Sequence, residues 1–153
     1  MTQRRHARRR FRYQMQLVCI GMAHGYADAV STTHAPIMTQ RDLLILLEPG
    51  FTDPERPGEV FICPDGAPIE ALLASDPARA ARLDIRRVPF ERPRRAAIEA
   101  LSEAHQSLPV LVFGGDFPAP PDANSLGEKR FITDTRRILA SLAERHGFPK
   151  LHD

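Results

Sequence analysis

The side chains able to do covalent chemistry are few. Among 153 residues there are two cysteines, Cys19 and Cys63, and six histidines. Cys63 sits in Val60-Phe61-Ile62-Cys63-Pro64-Asp65-Gly66, just ahead of the apolar-periodic stretch Ile69-Glu70-Ala71-Leu72-Leu73. A thiol in front of a helix lies over backbone N–H groups, which stabilise its thiolate. Asp65 acts the other way, because a neighbouring carboxylate disfavours a second negative charge. The fourth position from Cys63 is Gly66, not a second cysteine. A dithiol exchanger attacks with one thiol and releases the mixed disulfide with the other, so only monothiol chemistry is open to Cys63. Two distant cysteines make neither a disulfide framework nor a zinc site, which takes about four ligands.

The remaining candidates read as ordinary surface. Histidines 6, 24, 34, 105, 146 and 152 show no metal spacing. His105 and His146 fall near the ends of expected helices, where a cation suits the helix dipole. Glu48, Asp53, Glu55 and Glu59 lack the glycine-hinged spacing of a calcium loop and read as a solvated loop.

The elements that must hold Cys63 follow from pattern. Leu43 to Leu47 is a continuous apolar run, too short for a typical helix and ended by Glu48-Pro49-Gly50. It fits a strand buried on both faces. A Pro- and Gly-rich loop follows to Glu59. The next helix starts at Pro64 or nearer Pro68, since a proline inside a helix removes a hydrogen bond. Asp76-Pro77 restarts a short helix to about Arg82. A second strand is expected around Ile85–Val88, and a helix over 93–104 with Arg92, Arg94 and Arg95 on a solvated face. A third strand runs over 107–113 with Pro109 at its start. After a mobile loop, 114–128, comes a fourth strand, Lys129–Ile132. The last helix opens at Thr133-Asp134 and closes at Gly147, with Pro149 beyond.

Length and composition suit one domain with its own core, 42% hydrophobic and 26% charged. No apolar run approaches the roughly 18 residues of a membrane helix. The net charge of +2 is a difference between unlike parts. Residues 1–37 carry six arginines against one acid, Asp28, which leaves the rest at −3. The acidic remainder gives no support to nucleic-acid binding by the folded part. The leader reads as a disordered Arg-rich segment ahead of a later start at Met38, and residues 38–153 as the domain. An export signal would want a longer apolar run than Leu17–Ala23, and a phosphate-binding basic arm is the remaining reading. The expected location is cytoplasmic.

The order strand, thiol-led helix, strand, helix, proline-initiated strand, strand, helix is an α/β layer design. From about Arg41 to Gly147 it resembles the thioredoxin-like fold, with a central four-stranded mixed sheet flanked by helices. Cys63 stands where that fold places its attacking thiol. Pro109 matches the proline in cis beside the thiol, and Leu108 the residue whose backbone pairs with a substrate peptide or glutathione. Thr133-Asp134 matches the helix start that holds the γ-glutamyl end of glutathione. More closely, Leu46-Leu47-Glu48-Pro49-Gly50-Phe51, Ser107-Leu108-Pro109-Val110-Leu111 and Phe131-Ile132-Thr133-Asp134-Thr135-Arg136 resemble a bacterial family of small thioredoxin-like proteins, domain-of-unknown-function family 3088.

That resemblance implies a monothiol enzyme performing glutathione-linked exchange or transfer. Cys63 would be the nucleophile, Leu108 and Pro109 would shape the groove, and Thr133 and Asp134 would hold the ligand; glutathione would be co-substrate, with no bound cofactor or metal. The alternative is a redox-silent module that binds a peptide or small ligand through the Pro109 groove, since function is grafted onto a fold. The glutaredoxin-type sequence that would support a shared iron–sulfur cluster is not present.

Overall fold

The computed structural model describes residues 41–115 and 117–152. The leader over residues 1–37, the Met38 start and Cys19 lie outside them. Nine elements follow in order: β1 Leu43–Leu47, α1 Ala67–Ser75, α2 Pro77–Ala80, β2 Asp84–Val88, α3 Arg95–Ala100, β3 Val110–Val112, β4 Asn124–Leu126, β5 Lys129–Ile132 and α4 Thr135–His146. One open mixed sheet takes the order β2-β1-β3-β5-β4. Strand β1 pairs parallel with β2 and antiparallel with β3, and β3 and β4 each pair antiparallel with β5.

The apolar run of β1 is continuous because both of its faces are covered. Successive side chains of a strand alternate between faces. Leu44 and Leu46 enter a core with Ile69 and Leu73 of α1 and Ile138, Leu139 and Leu142 of α4. Leu43 and Ile45 enter a second core with Ala97 of α3, Leu101, Val110 and Phe131. Helices α1 and α4 therefore pack on one face of the sheet and α3 on the other. Full burial of each leucine contributes about 1.5–3 kcal/mol.

The sheet has five strands where the sequence predicts four. The addition is β4, inside the stretch expected to be a mobile loop. Asn124-Ser125-Leu126 has little strand propensity. Pairing with β5 across the two-residue loop Gly127-Glu128 supplies the order instead, with Gly127 at φ +59°. Arg130 reinforces this hairpin by donating to the carbonyls of Pro120, Pro121 and Ala123.

Helix ends also follow local chemistry. Asp76 caps α2, accepting from the Arg79 N–H at 3.0 Å. Helix α3 is shorter than the periodicity predicts. It stops at Ala100, where Lys129 Nζ donates to the Ala100 carbonyl at 2.5 Å and Ser102 Oγ pairs with His105 Nδ1 at 2.9 Å. Asp134 caps α4, accepting from the Arg137 N–H at 2.8 Å, and Gly147 ends it in the left-handed region at φ +74°. On α4, Ser141 is fully buried and its hydroxyl has no hydrogen-bond partner among the described residues. Ser141→Ala should therefore stabilise the protein by about 1 kcal/mol, read as a raised urea midpoint with unchanged slope.

At the N-terminal end of β1, Asp42 ties three segments together. Its carboxylate accepts from Arg145 Nε at 2.7 Å, Arg145 Nη2 at 2.9 Å and the Gly114 N–H at 2.8 Å, and pairs with His146 Nε2 at 2.9 Å. Asp42 is 3% exposed and the Arg145 side chain 8%. Burial alone would raise the Asp42 pKa. The hydrogen bonds from His146, Arg145 and Gly114, with the Arg145 charge, outweigh it and hold the carboxyl at about 2, below its ordinary 3.8.

Candidate functional site

Cys63 lies at the other end of β1, where the chain returns from a long excursion. The two arms of that excursion are pinned together: the Phe61 N–H donates to the Phe51 carbonyl at 2.8 Å and the Gly50 N–H to the Phe61 carbonyl at 3.0 Å. Phe51 stacks on Phe90, centroids 4.7 Å apart and planes 2° from parallel, and Phe61 leans on Phe51 at 6.0 Å. Aromatic packing of this kind adds about 0.5–1.5 kcal/mol per pair. The loop is thus a fastened arm, and it fixes where the next residues go. Phe61 is turned in, while Val60 and Ile62 on either side are 70% and 63% exposed.

From Cys63 the chain makes a turn closed by the Ala67 N–H donating to the Cys63 carbonyl at 2.9 Å. Helix α1 begins at Ala67, with Gly66 as N-cap and Pro68 in the first turn. This settles the two starts open in the sequence in favour of the later one. Pro68 is placed where no N–H is needed. Cys63 stands three residues ahead of the cap and is half-buried. Its side chain folds back over buried Gly66: a Cβ added at Gly66 would meet Cys63 Cβ at 3.5 Å and Sγ at 3.8 Å. Gly66 has ordinary right-handed backbone, φ −81° and ψ −30°, so nothing in its conformation demands glycine.

Two further contacts hold this turn. The Thr135 hydroxyl donates to the Asp65 carbonyl at 3.1 Å, which joins the start of α4 to the turn. Glu70 of α1 takes a bidentate ion pair from Arg87 of β2, both N···O distances 2.7 Å. Arg94 supplies positive charge. It is half-buried, donates to the carbonyls of Phe90 and Gln106, and lies close enough to Cys63 for the two to interact electrostatically. Burial is the main influence lowering the Arg94 pKa, Arg92 adds to it, and the Cys63 sulfur opposes both.

The family described as "Protein of unknown function (DUF3088)" has a model that matches residues 41–150. The chain belongs to this family. No curated protein and no solved structure matches it.

The DUF3088 domain brings the expected residues to two adjoining places. Thr133 and Asp134 precede α4, both exposed, and Thr135 beside them reaches the Cys63 turn. Asp134 spends one carboxylate oxygen on its own helix, as a cap. Leu108 is half-buried against the α3 core and Pro109 is buried, joined by a cis peptide bond; Arg92–Pro93 is also cis. Arg94 links the two places, since it bonds to Gln106 two residues before Leu108. A cavity of about 410 Å³ opens beside them, lined by His105, Ser107, Asn124, Phe131 and Thr133.

Arg94 is the residue that sequence reasoning missed. The run Arg92, Arg94, Arg95 reads as a solvated face, and Arg92 and Arg95 are indeed exposed. Arg94 differs because it sits at the N-cap of α3, where its backbone N–H donates to Gln106 Oε1 at 2.8 Å and turns the side chain inward. Phe90, 5.9 Å from the guanidinium, is its one sequence signal. Among the described residues no group of three or more His, Cys, Asp or Glu is arranged to hold a metal ion. No helix among them is long and apolar enough to cross a membrane.

Proposed function

We propose that the domain is thioredoxin-like and that Cys63 performs monothiol, glutathione-linked exchange. The strand order supports the fold: β2, β1, β3 and β5 form the four-stranded mixed sheet expected for it, and β4 is added at the edge. The observation that carries the chemistry is the setting of Cys63. The thiol is half-buried just ahead of α1, with the Arg94 cation within electrostatic reach. A partly exposed thiol is open to attack a disulfide, and a nearby cation attracts an anionic partner such as glutathione.

In the first step the Cys63 thiolate attacks one sulfur of a disulfide. A new S–S bond forms at Cys63, the old one breaks, and its electron pair leaves on the departing sulfur, which takes a proton from water. With no cysteine at position 66, a glutathione thiolate then attacks the mixed disulfide. It regenerates Cys63 and releases the second product. Leu108 and Pro109 would shape the approach, and Thr133 with the second oxygen of Asp134 would receive the ammonium and carboxylate end of glutathione.

A second reading is supported by Val60 and Ile62. Two exposed apolar side chains flanking the thiol arm suit an extended partner peptide, bound without chemistry. Turnover separates the two readings. Reduction of a glutathione mixed disulfide by the full chain, with glutathione as reductant, should be catalysed and should fall to the uncatalysed rate in Cys63→Ser. Equal rates with wild type and Cys63→Ser would leave binding as the reading.

A further inference from the structure

A second pocket lies at the opposite end of β1 from Cys63, about 410 Å³ in volume. That is within the range of about 300–1,000 Å³ usual for small-molecule sites. It is lined by Arg41, Asp42, Arg82, Phe117, Arg145 and His146. Five β1 residues separate it from the thiol arm, roughly 16 Å along the strand. Four segments distant in sequence converge on it: the start of β1, the α2–β2 connection, the loop after β3 and the last turn of α4.

The charges in this pocket do not cancel. Among the described residues Asp42 is its one carboxylate, and that carboxylate bonds to Arg145, His146 and Gly114. Arg145 is in turn consumed by Asp42 and by the Phe117 and Pro118 carbonyls. Arg41 and Arg82 remain, and among the described residues neither forms an ion pair. Arg41 contributes only one N–H, to the Ala81 carbonyl at 3.3 Å. At the rim Phe117 is 57% exposed, with one face 5.6 Å from the Arg145 guanidinium.

We propose that this pocket binds a small phosphate ester, the phosphate held by Arg41 and Arg82 and an apolar or planar body lying on Phe117. Guanidinium groups match phosphate oxygens in bidentate fashion, and two of them answer the charge of one phosphate. Asp42 does not repel the ligand, because Arg145 neutralises it from within the wall. The neutralised pair instead holds the wall rigid, so the two free arginines work from a fixed base. A polymeric phosphate ligand fits less well, since the cations line a pocket and not a stripe.

The test uses the full chain with phenyl phosphate, inorganic phosphate and phenol as probes, at fixed ionic strength, followed by calorimetry. Phenyl phosphate should bind saturably and more tightly than inorganic phosphate, and phenol should not bind. The double variant Arg41→Gln, Arg82→Gln should weaken both phosphates by about tenfold or more. Phe117→Ala should remove the advantage of phenyl phosphate and leave inorganic phosphate unchanged. Cys63→Ser should change nothing, so failure here is distinct from failure of the thiol chemistry. Both arginines and Phe117 are exposed, so these variants should keep the wild-type fold, checked by circular dichroism. Absence of saturable phosphate binding, or binding that survives the double variant, overturns the proposal.

Discussion

Asp42→Asn should lower the unfolding free energy by about 3–5 kcal/mol, the usual cost of removing one partner from a buried ion pair. The carboxylate is 3% exposed and its principal partner, Arg145, 8%. Without Asp42 the Arg145 charge stays buried, with the carbonyls of Phe117 and Pro118 and the ring faces of Phe113 and Phe117 as its remaining partners among the described residues. The start of β1, Gly114 in the loop after β3 and the end of α4 would lose their common anchor. Urea unfolding of wild type and variant measures this directly. A difference under about 1 kcal/mol would mean that the cluster relaxes into water at little cost.

The same residue makes a pH prediction with a definite sign. The Asp42 carboxyl is depressed from 3.8 to about 2 in the folded protein. Its contribution is therefore fully present above pH 3.8 and is lost as pH falls through about 2. The displacement corresponds to about 2.5 kcal/mol. Asp76 and Asp122 are also lowered, mainly by an Arg79 N–H and by Arg137 respectively, so total acid sensitivity has several sources. The difference between wild type and Asp42→Asn isolates one of them. It should shrink by about 2.5 kcal/mol between pH 5 and the acid limit.

The second large effect concerns position 66. Gly66→Cys should convert a one-thiol site into a two-thiol site. A Cβ at position 66 lies 3.5 Å from Cys63 Cβ, inside the roughly 3.5–4.5 Å that a disulfide spans. The contact with Sγ at 3.8 Å is ordinary van der Waals distance, and the backbone at −81°, −30° admits any L-residue. On mild oxidation the variant should lose two titratable thiols relative to its reduced form. A mixed disulfide on Cys63 should then be released by the neighbouring thiol without added glutathione. Persistence of the adduct in Gly66→Cys would show that the two side chains do not meet.

The thiol arm shows where sequence reading succeeds and where it stops. The buried strand β1, the Asp76 and Asp134 caps and the Gly147 terminus were legible, because each depends on its own residue type and immediate neighbours. Strand β4 was not, because Asn124-Ser125-Leu126 is a strand only by virtue of its partner β5. The inward turn of Arg94 depends on Gln106, twelve residues away. The arm that presents Cys63 is fastened by Phe51, Phe61 and Phe90, whose spacing in sequence matches neither a helix nor a strand. Asp42 and Arg145 are 103 residues apart, and nothing local marks either as buried. Long-range polar pairs of this kind become visible only when the sheet has brought its ends together.

The most direct test of the account is the reaction of the full chain with oxidised glutathione, read by mass spectrometry of the intact protein and its peptides. The account predicts one glutathione on Cys63, removed by reduced glutathione, and none at position 63 in Cys63→Ser. Charge should matter too: Arg94→Gln should slow adduct formation while the protein stays folded. An unmodified Cys63 under conditions that label an ordinary exposed thiol would contradict the account.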